Sequence, residues 1–288
     1  MFRANLTACA DAVQDHLNAQ LNGYGDTPVV QAMRYTLQGG KRMRAFLVME
    51  SALLFDVPHD RSIWPATGIE AIHAYSLVHD DLPCMDDDDL RRGRPTLHKK
   101  WDEATAVLAG DALQTLGFEL TLSPKTGDAE VRAHLALALA QAAGAQGMVL
   151  GQALDIAAET ATAPLTLDEI TELQQGKTGA LISYSARAGA IMAKADDRPL
   201  ADYARAVGLA FQIADDILDI EGDPEKAGKR LNKDEAAGKA TFVSLLGMDT
   251  AKHRAKSLIQ DACDAISQYG PKAENLRDLA NFVISRDS

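Results

Sequence analysis

The stretch HAYSLVHDDLPCMDDDD, residues 73–89, begins as an apolar helix and ends as a run of carboxylates. Six aspartates fall between Asp80 and Asp89, with no cation among them and Pro83 in their middle. Like charges at helical spacing repel, so the pattern asks for a cation to compensate them. One regular helix does not gather the group, because Asp80 and Asp86 are six residues, or about 600° of rotation, apart. Pro83 disrupts the helical ladder, and a bulge there would return Asp86 towards Asp80. Carboxylates without histidine or thiolate partners suit a hard cation, magnesium above all, which shares its shell with water and phosphate. A calcium loop is excluded, since its D-x-D-x-D-G spacing and closing glutamate are missing.

A second cluster, FQIADDILDIEGD (211–223), follows the same logic. Asp215 and Asp219 are one turn apart on one helical face, with Asp216 beside them. Phe211, Ile213, Ile217, Leu218 and Ile220 make the flanks apolar, so this helix is expected to be largely buried. Uncompensated carboxylates there would be costly.

The chain has 288 residues and a net charge of −12, from 29 basic and 41 acidic residues. Setting aside the nine clustered aspartates leaves a remainder close to neutral, so the acidity is local. That gives no support to nucleic-acid binding, which wants a basic face. Cys9, Cys84 and Cys263 are odd in number and scattered, with neither a disulfide framework nor zinc spacing, as suits a reducing cytosol. Asp11 and Asp15 interrupt the N-terminus where a signal peptide needs an unbroken apolar run. No membrane span and a cytoplasmic location are the expectations.

The remaining segments read as helices. DTPVVQAMRYTLQGG (26–40) places Pro28 in a first turn and stops at Gly39-Gly40. A helix is expected over 64–82, with the acidic run at its far end. An alanine-rich run over 128–158 carries Gly144, Gly147 and Gly151, which favour close helix packing. TLDE (166–169) is a capping box opening a helix that is expected to end near Gly176. Helices over 199–221, 250–268 and 273–285 complete an all-α chain in one domain, with no strand alternation and no repeat period. Cationic segments lie among them: GGKRMR (39–44), LRRGRP (90–95), GKTG (176–179), and the pairs ending at Lys229 and Lys239. Each alone is weak, and GKTG lacks the register of a nucleotide phosphate loop. Their combination with two all-oxygen clusters points to diphosphates.

In this order, GGKRMR, IHAYSLVHDDLPCMDDDDLRRGRPT, LAGDALQ, GMVLGQALDI, GKTGALI, FQIADDILD and GKATF make the chain resemble the trans-isoprenyl diphosphate synthases, the bacterial farnesyl diphosphate synthases most closely. The resemblance implies a single polyprenyl synthetase domain over 1–288, with 1–26 a helical segment outside its strongest part. It implies an isoprenoid synthase bundle around a deep central cavity, two aspartate motifs facing each other across the mouth, and a homodimer. It assigns magnesium, three ions with the allylic diphosphate bound, to Asp80, Asp86 and Asp215, with Asp81, Asp216 and Asp219 behind them. Arg91, Lys177 and Lys229 match residues that hold the allylic diphosphate. Lys41, Arg44, His73 and Arg92 match the isopentenyl diphosphate pocket. Thr178 and Gln212, with Lys177, match the groups that stabilise the nascent carbocation.

Chain length is assigned to Tyr75, five residues before Asp80, as the cavity floor that stops growth at fifteen carbons. The helical wheel places Tyr75 about 140° from Asp80 and Ser76 nearer its face. An ordinary core tyrosine, or a core histidine at position 73, is the plainer alternative. Ala45 and Val243 stand where the family often has proline. The competing functions are a geranylgeranyl or mixed-length synthase, a class I terpene cyclase, and a non-catalytic regulatory subunit or acidic helical scaffold. DDILD argues against the cyclase, whose second motif mixes Asn, Ser and Glu.

Overall fold

The computed structural model describes residues 1–161, 163–221 and 240–285, and its helices start and stop where the local chemistry directs. After α1 (Phe2–Leu21), the Thr27 hydroxyl accepts from the Val30 amide and Pro28 opens α2 (Pro28–Thr36). Gly39 and Gly40, at φ 73° and 94°, turn the chain through the left-handed region that glycine tolerates best. α3 (Met43–Leu54) and α4 (His59–Asp80) follow. α4 begins five residues before the expected start, behind an extended Pro58, and carries Pro65 in its interior.

A minimal hairpin, β1 (Leu90–Arg91) with β2 (Arg94–Pro95), is the only sheet among the described residues. α5 (Leu97–Lys100), α6 (Glu103–Thr121), α7 (Ala129–Ala143) and α8 (Met148–Glu159) come next. The capping box is present: Thr166 accepts from the Glu169 amide, and Glu169 accepts from the Thr166 amide, opening α9 (Leu167–Gln174). The expected stop near Gly176 is overturned. The chain winds on through a π-helix (Gln175–Gly179) into α10 (Ala180–Ala193), because the wider turn absorbs the glycines without breaking the helix. α11 (Arg198–Glu221), α12 (Phe242–Leu246), α13 (Met248–Ala265), a 3₁₀ segment and α14 (Glu274–Ser285) complete the described chain.

α4 packs along α6 and against α3; α10 joins α3 to α7 and α11; α11 lies along α13. The core is aliphatic and small-residue rich, with Ile69, Ile72, Leu113 and Tyr203 fully buried. This is the expected all-α bundle.

One stretch bears on the expectation of no membrane span. Ala129–Glu159 is long and apolar enough, by length and composition, to cross a membrane. It does not form one helix, however, because the chain breaks at Gly144–Gly147 between α7 and α8. Of the three glycines only Gly151 makes the expected close approach to another helix; Gly144 and Gly147 abut the preceding turn of their own chain, where a Cβ on Gly147 would lie 2.2 Å from the Ala142 carbonyl oxygen.

One buried ion pair fixes the α2–α3–α4 corner. Arg42, left-handed at φ 52°, donates to Glu70 Oε2 at 3.2 Å, both side chains being 3% exposed. The same guanidinium donates to the Leu37 carbonyl and, at 3.1 Å, to Gln14. Glu70 Oε1 accepts from the Ala45 amide at 3.0 Å. A proline at position 45 has no such donor, so the departure from the family pattern feeds this pair. Removing one partner strands the other charge, and Glu70→Ala is expected to lower stability by about 3–5 kcal/mol in urea unfolding. A loss under about 1 kcal/mol would show that the pair does not hold the corner.

The three cysteines are unpaired as thiols: Cys84 exposed, Cys263 half-buried and Cys9 buried. Burial, with the charges of Glu70 and Glu50 beside it, pushes the Cys9 thiol up to about 12. Thiolate is the reactive form, so iodoacetamide at pH 8 should label Cys84 first and Cys9 only after denaturation, as read by peptide mass spectrometry.

Candidate active site

α4 ends in the first aspartate motif, and the chain doubles back there. The Met85 amide donates to the Leu82 carbonyl and the Asp86 amide to the Asp80 carbonyl, each at 2.9 Å. Backbone alone thus returns Asp86 to Asp80 across Pro83. Burial pushes the Asp80 carboxyl up to about 6; Lys177 pulls it down, and Asp86 pushes it up again. Asp81, 4% exposed, is committed elsewhere: it accepts from Arg91 Nε at 3.0 Å. Arg91 also lies 3.5 Å from Asp88.

Arg44, His73, Tyr75, Ser76, Asp80, Met85, Met148, Gln152, Lys177, Thr178 and Leu181 are among the residues lining one cavity of about 350 Å³. Cations crowd one side of it. Arg44 Nε is buried with no hydrogen-bond partner, and its electrostatic neighbours are Glu70, Arg92 and Asp215. Burial first, then Arg44, Arg92, Arg42 and Arg91, hold the His73 imidazole well below its usual range, so it is neutral near pH 7. Arg92, at φ 54°, lays its guanidinium where a Cβ on Gly40 would be, 2.9 Å away. A side chain at position 40 would push it out. The orphaned Arg44 donor in this cationic corner is the signature of an anion pocket.

α11 brings the second motif. Gln212, Asp216 and Asp219 are buried, although the flanks are less so than expected, with Ile217 and Leu218 half-buried and Ile220 exposed. Asp216 accepts from the Phe242 amide at 2.7 Å, tying α11 to the start of α12. Among the described residues no three acidic, histidine or cysteine side chains converge closely enough to hold a metal by themselves. Asp80 lines the cavity, and Asp86, exposed and outside the lining, acts on its charge.

Tyr75 and Ser76 both line the cavity, although the wheel separates them. The Tyr75 ring meets His79 edge to face at 5.8 Å, and its hydroxyl is buried without a hydrogen-bond partner. Lys41 lies away from the cavity lining, with its ammonium 6.0 Å from the Phe282 ring centroid. Lys229 lies outside the described residues. Arg42, part of the GGKRMR segment, is spent on Glu70.

The profile of the polyprenyl synthetase family matches residues 26–278. The chain belongs to this family. It is 44% identical to the farnesyl diphosphate synthase of Escherichia coli K12, the match covering 99% of each chain. It is 43% identical to the farnesyl diphosphate synthase of Bacillus subtilis, over 89% of this chain and 88% of that one. Among solved structures, an FPP/GFPP synthase from Zymomonas mobilis in its apo form superposes with a TM-score of 0.91 at 45% identity, over 98% of both chains.

One residue at the site escaped the sequence reading. Asp155 of α8 accepts from Lys177 Nζ at 2.7 Å. Its signal was available, as a lone acid one turn beyond Gly151 on the same helical face. Gly151 itself touches the π-helix, where a Cβ would lie 1.9 Å from the Lys177 backbone nitrogen. Gly151→Ala should therefore displace the π-helix and cost about 1–3 kcal/mol. A thermal-unfolding midpoint equal to that of the unmodified chain would contradict this contact.

Proposed function

We propose that this chain is a magnesium-dependent prenyltransferase that condenses isopentenyl diphosphate with dimethylallyl and then geranyl diphosphate, giving farnesyl diphosphate. The observation that carries the reading is one cavity that brings together a carboxylate at Asp80, a buried Arg44 with an unused Nε donor and an apolar interior down to Tyr75. Its farnesyl diphosphate synthase relatives match nearly end to end.

The residues divide the work by charge. Asp80, Asp86 and Asp215 would hold magnesium, and the burial that pushes Asp80 upward makes a bound cation favourable there. Bound metal supplies neutralisation of the charge that develops on the departing diphosphate. Arg91, Lys177 and Lys229 hold the allylic diphosphate as its C–O bond breaks, leaving an allylic cation beside the dipoles of Thr178 and Gln212. Arg44, His73 and Arg92, joined by Lys41 if it turns in from the Phe282 ring, would hold isopentenyl diphosphate through cations and a neutral imidazole without magnesium, and its homoallylic C–O bond, which yields no stabilised cation, stays intact. The isopentenyl double bond attacks the cation, a carbon–carbon bond forms, and the departing diphosphate takes the proton released.

Tyr75 closes the cavity and stops growth at fifteen carbons. The chain works in the cytoplasm as a homodimer, a reading supported by uncovered apolar side chains at Val107, Leu108 and Leu137 on the neighbouring helices α6 and α7. A geranylgeranyl or mixed product is the alternative outcome.

Asp80→Ala and Asp215→Ala are each expected to lower kcat by at least about 10²-fold with the fold intact by circular dichroism. Normal turnover in either variant removes the metal assignment. Tyr75→Ala should lengthen the product, and an unchanged product distribution would place the floor at another residue.

A further inference from the structure

The π-helix carries Lys177 into the cavity wall, and α8 grips that lysine at both ends. At the backbone end, Gly151 approaches so closely that no Cβ fits, and a Cβ on Gly176 would in turn lie 3.0 Å from Gly151 Cα. At the side-chain end, Asp155 accepts from the ammonium at 2.7 Å, with side-chain exposures of 27% for Lys177 and 13% for Asp155. Gly151 and Asp155 are four residues apart, so one face of α8 makes both contacts.

A lysine side chain with four rotatable bonds needs such an anchor here. Lys177 shares the cavity with Asp80 and lies close enough to pull on its charge. Without a partner of its own, the ammonium would fold onto Asp80 and neutralise a carboxylate that a cation needs. Asp155, which is not among the residues lining the cavity, takes the ammonium at 2.7 Å and so competes with Asp80 for it.

We infer that Asp155 is a positioning residue that holds the Lys177 ammonium off Asp80 and aimed at the site of the allylic diphosphate. The inference rests on the diphosphate-binding reading above, but the residue acts through Lys177 and touches no substrate. The step it serves is binding and alignment, with no bond made or broken at Asp155.

The test is calorimetric titration of the full chain with inorganic pyrophosphate in the presence of magnesium, and separately with isopentenyl diphosphate without metal. Asp155→Asn is expected to weaken pyrophosphate binding about tenfold and to leave isopentenyl diphosphate binding within twofold, which also reports an intact fold. In a Lys177→Met background the same change should have no further effect, since the residue it positions is gone. Asp155→Glu, which keeps the charge on the same face, should stay within threefold of the unmodified chain. Equal pyrophosphate binding by D155N and the unmodified chain overturns the inference. So do losses that add in the double variant, or a D155E loss as large as that of D155N. An unmodified chain that binds neither ligand overturns the functional reading and this inference together; normal binding with an indifferent Asp155 overturns only the latter.

Discussion

Opposite charges share one buried mouth in this protein, and left to themselves they would pair and close it. Four acids around it have partners within the protein. Glu70 takes Arg42 and the Ala45 amide, Asp81 takes Arg91, Asp155 takes Lys177, and Asp216 takes the Phe242 amide. What remains is Asp80, sharing one cavity with Arg44, whose Nε is an unused donor. Buried charges are expensive unless paired, so the charges left without a partner here are the ones that the proposed metal and diphosphates would compensate.

The backbone supplies the separation. Gly39 and Gly40 carry the chain through left-handed turns and leave room for Arg92. The turn after α4 brings Asp86 round to Asp80 through a backbone hydrogen bond. The π-helix between α9 and α10 presents Lys177 and Thr178 at a cavity wall that a regular helix would have carried past. Shape and charge are therefore set by the same few turns.

Much of this was legible in the chain. Thr27-Pro28, the Thr166–Glu169 box and the apolar flanks of Asp215 announced their helices because capping and burial act within a few residues. The return of Asp86 across Pro83 was also legible, since six residues cannot share one helical face. The rest depended on tertiary partners. Gly176 reads as a stop signal until Gly151 packs against it. Arg42 looks like another phosphate ligand until Glu70, 28 residues away, claims it. Asp155 sits in an alanine-rich helix and gains meaning only from Lys177. Tyr75 and Ser76 share the cavity despite the wheel, because a cavity wall is wider than one helical face. The start of α4 lies five residues before the expected one, because Pro58 opens the helix and Pro65 is accommodated inside it.

The most direct test of the account is the product made by the unmodified chain. It would be given isopentenyl and dimethylallyl diphosphates, with and without magnesium, and the dephosphorylated alcohols separated by length. Farnesol formed only with magnesium is the predicted result. No prenyl alcohol with magnesium, from either dimethylallyl or geranyl diphosphate as starter, would contradict the account at its centre.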